Sequence, residues 1–449
     1  MRDVDVVVVG AGIAGLSAAR ALAAAGSEVL VVEARDRVGG RVWNTEVGGH
    51  ANELGGQWIA PYQSEVRALM RELGLDLFHS YREGDRIYVD ADGTAHRYEG
   101  HDAPLGEAAD DAYADAVAKL DALAAEIDPE APWAHPRAAE LDAITYESWL
   151  GEEVRDDVAR DLLRAYLSGG YMTKPSHTFS LLGGLWTIAG AGSVDNLFEP
   201  DLCLHSRVVG GSQLIPLRMA EELGDRVLLS APVRRIGWQE DGVVVEADGV
   251  EVSARDCVLA TPPNLVAGID FAPALPPWRM RGQAAMTQGS VIKVLAVYDH
   301  PFWREDGLSG EGFAPYHFIR EAYDNSPPAG EPGVLATFLA AERCETAERM
   351  APAERRHAIV DGLAALFGER AHDASDVIEV NWSADEWTRG AYSATFGVGG
   401  LSRFGADLRC PIGPLHFACT DIAGVGNMHI EGAVRSGRAA ASAILTAVG

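Results

Sequence analysis

Four valines in a row, Val6 to Val9, run into the glycine-rich turn "GAGIAGLS". An Ala-rich helical pattern and a second apolar run, "EVLVVEARD", follow. This order predicts a buried strand, a tight turn, a helix and a second buried strand. Further on, Val117, Leu120, Ala124 and Ile127 recur at helical spacing and predict a helix over 114–127. The stretch "DPEAPWAHPRAAELD" carries three prolines and reads as an ordered loop. After the glycine turn and helix of "VVGGSQLIPLRMAEELGD", short strands are joined at Asp241-Gly242 and Asp248-Gly249, both hairpin signals. The strand "CVLAT" then ends at Pro262-Pro263, and an Ala-rich helical pattern closes the chain.

One run departs from these patterns. In "GSVIKVLAVY", residues 289–298, both alternating faces are apolar, which predicts a strand covered on both sides, yet Lys293 sits in its middle. A lysine there must snorkel to a wet edge, pair with a charge, or point into a functional cavity.

Composition narrows the class. At 449 residues the chain is long enough for two or three domains at roughly 150 residues each. Lys plus Arg number 37 against 66 Asp plus Glu, and the net charge of −29 argues against a nucleic-acid partner. Five scattered cysteines without a CxxC pair, and no histidine cluster at ligand spacing, argue against a disulfide framework or structural zinc and fit a reducing cytosol. The N-terminus reaches a strand without room for a signal peptide, and no apolar run attains the ~20 residues of a membrane span. These features predict a soluble, cytoplasmic protein without a membrane anchor. His96, His101 and His177 read as surface or loop residues.

Gly10, Gly12 and Gly15 form a GxGxxG turn between strand and helix, with Glu33 at the end of the next strand. The glycines permit a tight turn, close approach of a pyrophosphate, and close helix–strand packing; the acid suits ribose hydroxyls. The pattern predicts dinucleotide binding. "EARDRVGGRVWNTE" and "ELGGQWIAPYQ" continue it with two glycine pairs, Arg41 and a large aromatic, Trp58. These segments resemble the flavin-dependent amine oxidase family, which includes monoamine, polyamine and putrescine oxidases. The segments "NWSADEWTRGAYSATFGVGG" and "HFACTDIAGVGNMHIEGAV" match it too, and the resemblance spans nearly the whole chain.

The resemblance implies an α/β chain in which a Rossmann-like FAD-binding domain (1–78, 210–280, 401–449) interleaves with an α+β substrate domain (79–209, 281–400). It places Glu33 at the adenosine ribose and Arg35 and Arg41 at the pyrophosphate region, with Ala34 and Gly40 also among the cofactor-binding residues. Gly55, Gly56 and Gln57 are assigned to the flavin ring, Trp58 is counted among the cofactor-binding residues, and the Val233 backbone is assigned to the adenine. The resemblance further assigns Trp382 to packing on the isoalloxazine, Asp421 to the ribityl chain, and the backbone at Ile430 to the pyrimidine end. In that family a lysine in this strand holds a water against flavin N5, so the resemblance answers the strand's odd lysine with the cavity.

Two departures from the family pattern carry expectations of their own. The family's flavin-linking cysteine is replaced by Ala391, so FAD is expected to be non-covalent. The aromatic cage keeps Tyr392, but its other wall is His429, and Gly426 replaces a tryptophan often found three residues before that wall. The implied pocket is more open and more polar than a standard cage.

The implied reaction oxidises an amine C–N bond by hydride transfer to flavin N5. It yields an imine that hydrolyses, and hydrogen peroxide when O2 reoxidises the flavin. Several loops resemble bacterial putrescine oxidases. In a diamine enzyme Glu321 is the candidate for the distal ammonium, although an acid in "FIREAYDNSPP" reads more simply as a solvent-facing loop residue. An oxidase or dehydrogenase of an amino acid or biosynthetic intermediate, using Arg320 or Arg389 for the carboxylate, stays open. So do a non-catalytic flavin-binding protein and a homodimer.

Overall fold

A computed structural model describes residues 2–100 and 103–448; His101 lies outside them. The valine run forms the strand Arg2–Val9, its last four residues fully enclosed. It lies in parallel between Val29–Val32 and Val250–Leu259. Around these, among the described residues, an eight-stranded sheet runs in the order Asp270–Ala272, Val233–Gln239, Gly242–Ala247, Val250–Leu259, Arg2–Val9, Val29–Val32, Val227–Leu228, with Leu415–Phe417 beside Val250–Leu259. The two Asp-Gly pairs turn the antiparallel hairpins as their sequence demands, and Gly249 takes a φ of 80° that few side chains tolerate.

The helix Ile13–Ala24 starts directly after the glycine turn. A Cβ on Gly15 would lie 2.0 Å from the Gly10 carbonyl oxygen, and one on Gly437 would lie 2.1 Å from that of Ala14. Glycine at these two positions lets the first helix press onto the sheet and onto the closing helix, Ile430–Val448.

A second sheet, mostly antiparallel, has the order Asp376–Asn381, Val291–Tyr298, Gly333–Ala340, Glu321–Asp324, Leu308–Phe313, Asp85–Val89, Ala95–Tyr98. The strand Val291–Tyr298 is buried along its whole length. Ile292, Val294, Ala296 and Tyr298 pack into a core with the helix Pro352–Phe367, which contributes Ile359 and Leu363. Leu295 and Val297 on the other face pack against the hairpin of Asn44–Val47 and His50–Glu53 through Val47. Lys293 shares this second face, opposite Phe338 and Val380 on the neighbouring strands.

The helix expected over 114–127 spans Glu107–Ala125, starting about two turns earlier because Gly106 can take the φ of 100° that opens it. The proline-rich stretch folds into the short turn Pro132–Ala134 and the helix Ala138–Ala143. No helix among the described residues is long and apolar enough to cross a membrane.

Candidate active site

The parallel strands Arg2–Val9 and Val29–Val32 end at one side of a cavity of about 440 Å³ that continues between the two sheets. At this end the walls are Gly10, Gly12, Glu33, Ala34 and Arg35. Gly12 precedes the first helical turn, which has no side-chain cap, and a Cβ built on it meets nothing within 4 Å. The free N–H groups of that turn therefore face open space suited to an anion. Glu33 accepts hydrogen bonds from the Ala11 N–H (2.6 Å) and the Arg35 N–H (2.9 Å). Arg35 pairs in turn with Asp385. Val233, Trp387 and Arg389 also line the cavity.

Gly40, Arg41, Gly55, Gly56, Gln57 and Trp58 line the middle of the cavity. A Cβ on Gly56, like one on Gly12, meets nothing within 4 Å, so both glycines leave a cradle for a flat group against the backbone. Trp382 and Ile430 face the same space. The Trp382 indole N–H donates to the Leu54 carbonyl oxygen at 3.0 Å, which fixes the ring's plane. This combination of an uncapped helix N-terminus, a cavity-lining acid and a glycine-and-tryptophan slot fits a flavin dinucleotide.

Two assigned residues lie behind the wall rather than in it. Gly15 serves packing. Asp421, fully enclosed, accepts from Arg41 at 2.5 and 3.0 Å, from Ser393 at 2.9 Å, and from Ala394 and Cys419. Burial alone would raise its carboxyl, but the Arg41 guanidinium outweighs that and holds it low. Arg41 also donates to the Tyr392 carbonyl oxygen at 2.7 Å, so this pair ties the cofactor wall to the aromatic wall.

At the opposite end the cavity is lined by Tyr392, His429, Lys293, Glu321, Tyr323 and Phe338. The Thr173 hydroxyl donates to the Ala391 carbonyl oxygen (2.6 Å) and accepts from the Tyr392 N–H (3.1 Å), clamping that peptide. The Tyr392 ring meets Phe338 edge-on, centroids 6.1 Å apart. The His429 Nδ1–H donates to the Asn427 carbonyl oxygen at 2.8 Å, which leaves Nε2 as an acceptor. Burial lowers the imidazole's pKa, against the opposing pull of that carbonyl and of Glu431.

Lys293 is 2% exposed. Its Nζ donates to the Gly55 carbonyl oxygen at 2.9 Å and to Gln57 Oε1. Burial brings its pKa down to about 7, with Glu53 opposing and Arg207 adding to the shift.

Glu321 begins a strand, Glu321–Asp324, and is half-buried in the cavity wall. The loop reading therefore does not hold. Two Pro-containing turns flank the short strand in sequence and disguise it, while the sheet pairing of Ala322 with Thr337 keeps it in place. Tyr323 donates to its carboxylate, and burial raises the carboxyl's pKa against the pull of that bond and of Arg320.

Sequence reasoning passed over Tyr166 and Tyr171, which enter the cavity from the π-helical segment Ala165–Met172. Their spacing of five matches no α-helical face, so a period of 3.6 does not register it. Among the described residues no group of three or more His, Cys, Asp or Glu is placed to hold a metal ion.

Comparison with known proteins extends this geometry. The family profile described as flavin containing amine oxidoreductase matches residues 13–445. The putrescine oxidase of Kocuria rosea is 46% identical over 455 aligned residues, covering 99% of this chain and 95% of that protein. An L-amino acid dehydrogenase of Synechocystis sp. is 34% identical, covering 98% and 94%. The solved structure of wild-type putrescine oxidase bound to putrescine matches with a TM-score of 0.97 at 44% identity, covering 99% of each chain.

Proposed function

This chain belongs to the flavin-containing amine oxidoreductase family, and on that premise we propose that it is an FAD-dependent oxidase of short aliphatic diamines. The observation that carries this reading is Glu321, a carboxylate at the Tyr392 end of the cavity, where the neighbouring lining is largely aromatic. A diamine presents one amine for oxidation and a second ammonium at fixed reach, and a desolvated carboxylate answers that second charge with a strong charge-assisted bond.

FAD occupies the glycine-rich end non-covalently, because Ala391 cannot form a thioether. The residues of the earlier assignment hold it: Gly10, Gly12, Glu33, Ala34, Arg35, Gly40, Arg41, Gly55, Gly56, Gln57, Trp58, Val233, Trp382 and Ile430. Asp421 acts at one remove by orienting Arg41. The FAD-binding domain comprises residues 1–78, 210–280 and 401–449, and the substrate domain the rest. The five cysteines are all free, which suits a reducing compartment, and we assign the enzyme to the cytoplasm.

When bound, FAD would supply the hydride acceptor for the amine Cα–H, with O2 as the final electron acceptor giving hydrogen peroxide. The protein's own residues bind, orient and desolvate the substrate. Tyr392 and His429 flank the reacting amine. With Nδ1–H committed to Asn427, uncharged His429 offers Nε2 to an amine N–H and does not repel it. Tyr392, whose phenol burial pushes well above its usual range, stays neutral as an apolar wall with a polar tip. Lys293 presents an amine to the flavin-facing side. Positioning and exclusion of water carry most of the work, without a strong base.

An amino-acid substrate would require an arginine beside the reacting centre. Arg320 is absent from the cavity lining, and Arg389 is exposed. The deciding experiment is anaerobic flavin reduction with putrescine, cadaverine, butylamine, benzylamine and L-amino acids. Putrescine or cadaverine should bleach the oxidised band fastest, and air should restore it with peroxide formed. Faster bleaching by an amino acid would replace the diamine reading with the dehydrogenase-like one.

A further inference from the structure

Behind Lys293 lies a run of side-chain amides that begins at the cofactor-site residue Gln57. Gln57 Nε2 donates to Asn325 Oδ1 at 2.6 Å, and Asn325 Nδ2 donates to Asn52 Oδ1 at 2.9 Å. All three amides are at most 2% exposed. The direction of the run is dictated from one end. As an ammonium Lys293 only donates to this partner, so with the lysine protonated Gln57 turns its oxygen to it and its nitrogen to Asn325. Asn325 must then turn its oxygen to Gln57 and its nitrogen to Asn52. Each donation strengthens the acceptor at the other end of the same amide, so the polarisation converges on Gln57 Oε1.

The Asn325 backbone is pinned separately. Arg207 donates to the carbonyl oxygens of Asn325 (2.8 Å) and Ser326 (3.1 Å) and pairs with Glu53 at 2.6 Å. Arg207 and Glu53 are 2% and 0% exposed.

We infer that Asn325 is a positioning residue for Lys293. By accepting from Gln57 it locks that amide with its oxygen towards the lysine, and so sets the direction and proton affinity of the amine presented to the cavity. The charged groups around Lys293 are Glu53 and Arg207 behind it and Glu321 across the cavity, with Tyr323 and Tyr392; the paired strands offer only Phe338 and Val380. The inference rests on the flavin-facing assignment of Lys293. Its test reads the lysine directly, so its failure is distinct from a failure of the oxidase reading.

The chain has three lysines, Lys119, Lys174 and Lys293. FAD-loaded protein carrying [ε-13C]lysine therefore yields three signals to follow through a pH titration. Asn325→Ala should lower the Lys293 midpoint by about half a pH unit. Asn325→Asp, which still accepts from Gln57, should leave it at or above the wild-type value. Lys174, held by Thr395 through its own bonds of 2.6 and 3.0 Å, should not move in either variant. An unmoved Lys293 midpoint in Asn325→Ala, or an equal fall in both variants, overturns the inference. Should Asn325→Ala not fold, Asn52→Ala severs the last link of the run. A smaller fall there supports the inference, and no change overturns it.

Discussion

The Tyr323 hydroxyl donates to the Glu321 carboxylate over 2.9 Å, and both residues stand on one short strand in the wall of the cavity. The bond aims the carboxylate, and burial makes its charge costly until a cation arrives. Glu321→Gln keeps the shape and removes the charge. It should cut kcat/KM for putrescine by roughly 10- to 100-fold, the worth of a charge-assisted bond of about 1.5–3 kcal/mol. Butylamine, which has no second ammonium, should change little. Steady-state kinetics on the two amines check this, and an equal loss on both would remove Glu321 from diamine recognition.

Ala391 gives the cofactor wall no sulfur, and the Thr173 clamp on the Ala391–Tyr392 peptide is made by backbone atoms and a hydroxyl. Acid precipitation should therefore release all the flavin into the supernatant as FAD. A yellow pellet would show a covalent link elsewhere.

Burying Lys293 depresses its pKa to about 7 from an ordinary lysine value of 10.5. Between those pH values the unfolded chain binds a proton that the folded one does not, so this group's contribution to stability rises with pH across that window. Below pH 7 both states are protonated, and the folded state carries the full cost of a buried charge. Lys293→Met removes that cost. Its melting temperature should exceed wild type by a few degrees at pH 6 and lose that lead towards pH 10, as a calorimetric pH series would show. A pH-independent difference would mean that Lys293 is not titrating in this range.

The Arg207–Glu53 pair is buried on both sides and spans 154 residues of chain. Arg207→Met leaves the Glu53 carboxylate enclosed without its partner and should cost about 3–5 kcal/mol in urea unfolding of the FAD-loaded protein. Replacing Glu53 by leucine as well should recover much of that loss. A single variant as stable as wild type would mean the pair adds nothing to folding.

The dinucleotide end of the site was legible from sequence because its requirements are local. Gly10, Gly12 and Gly15 answer the needs of one turn and one helix start, and Glu33 lies one strand away. The chain's own alternation likewise determined that Val291–Tyr298 is a strand covered on both sides. What it left open was where Lys293 points, because a strand apolar on both faces does not say which covering layer opens into a cavity. Tertiary structure decided this by bringing Gly55 and Gln57 to the amine from more than 230 positions away. It also turned Asp421 towards Arg41 across 380 positions and drew Glu321 out of an apparent loop into a wall. A periodic pattern records the burial of one element at a time. The partners of a buried charge are chosen by how separate elements pack, and the pattern of no single element contains that choice.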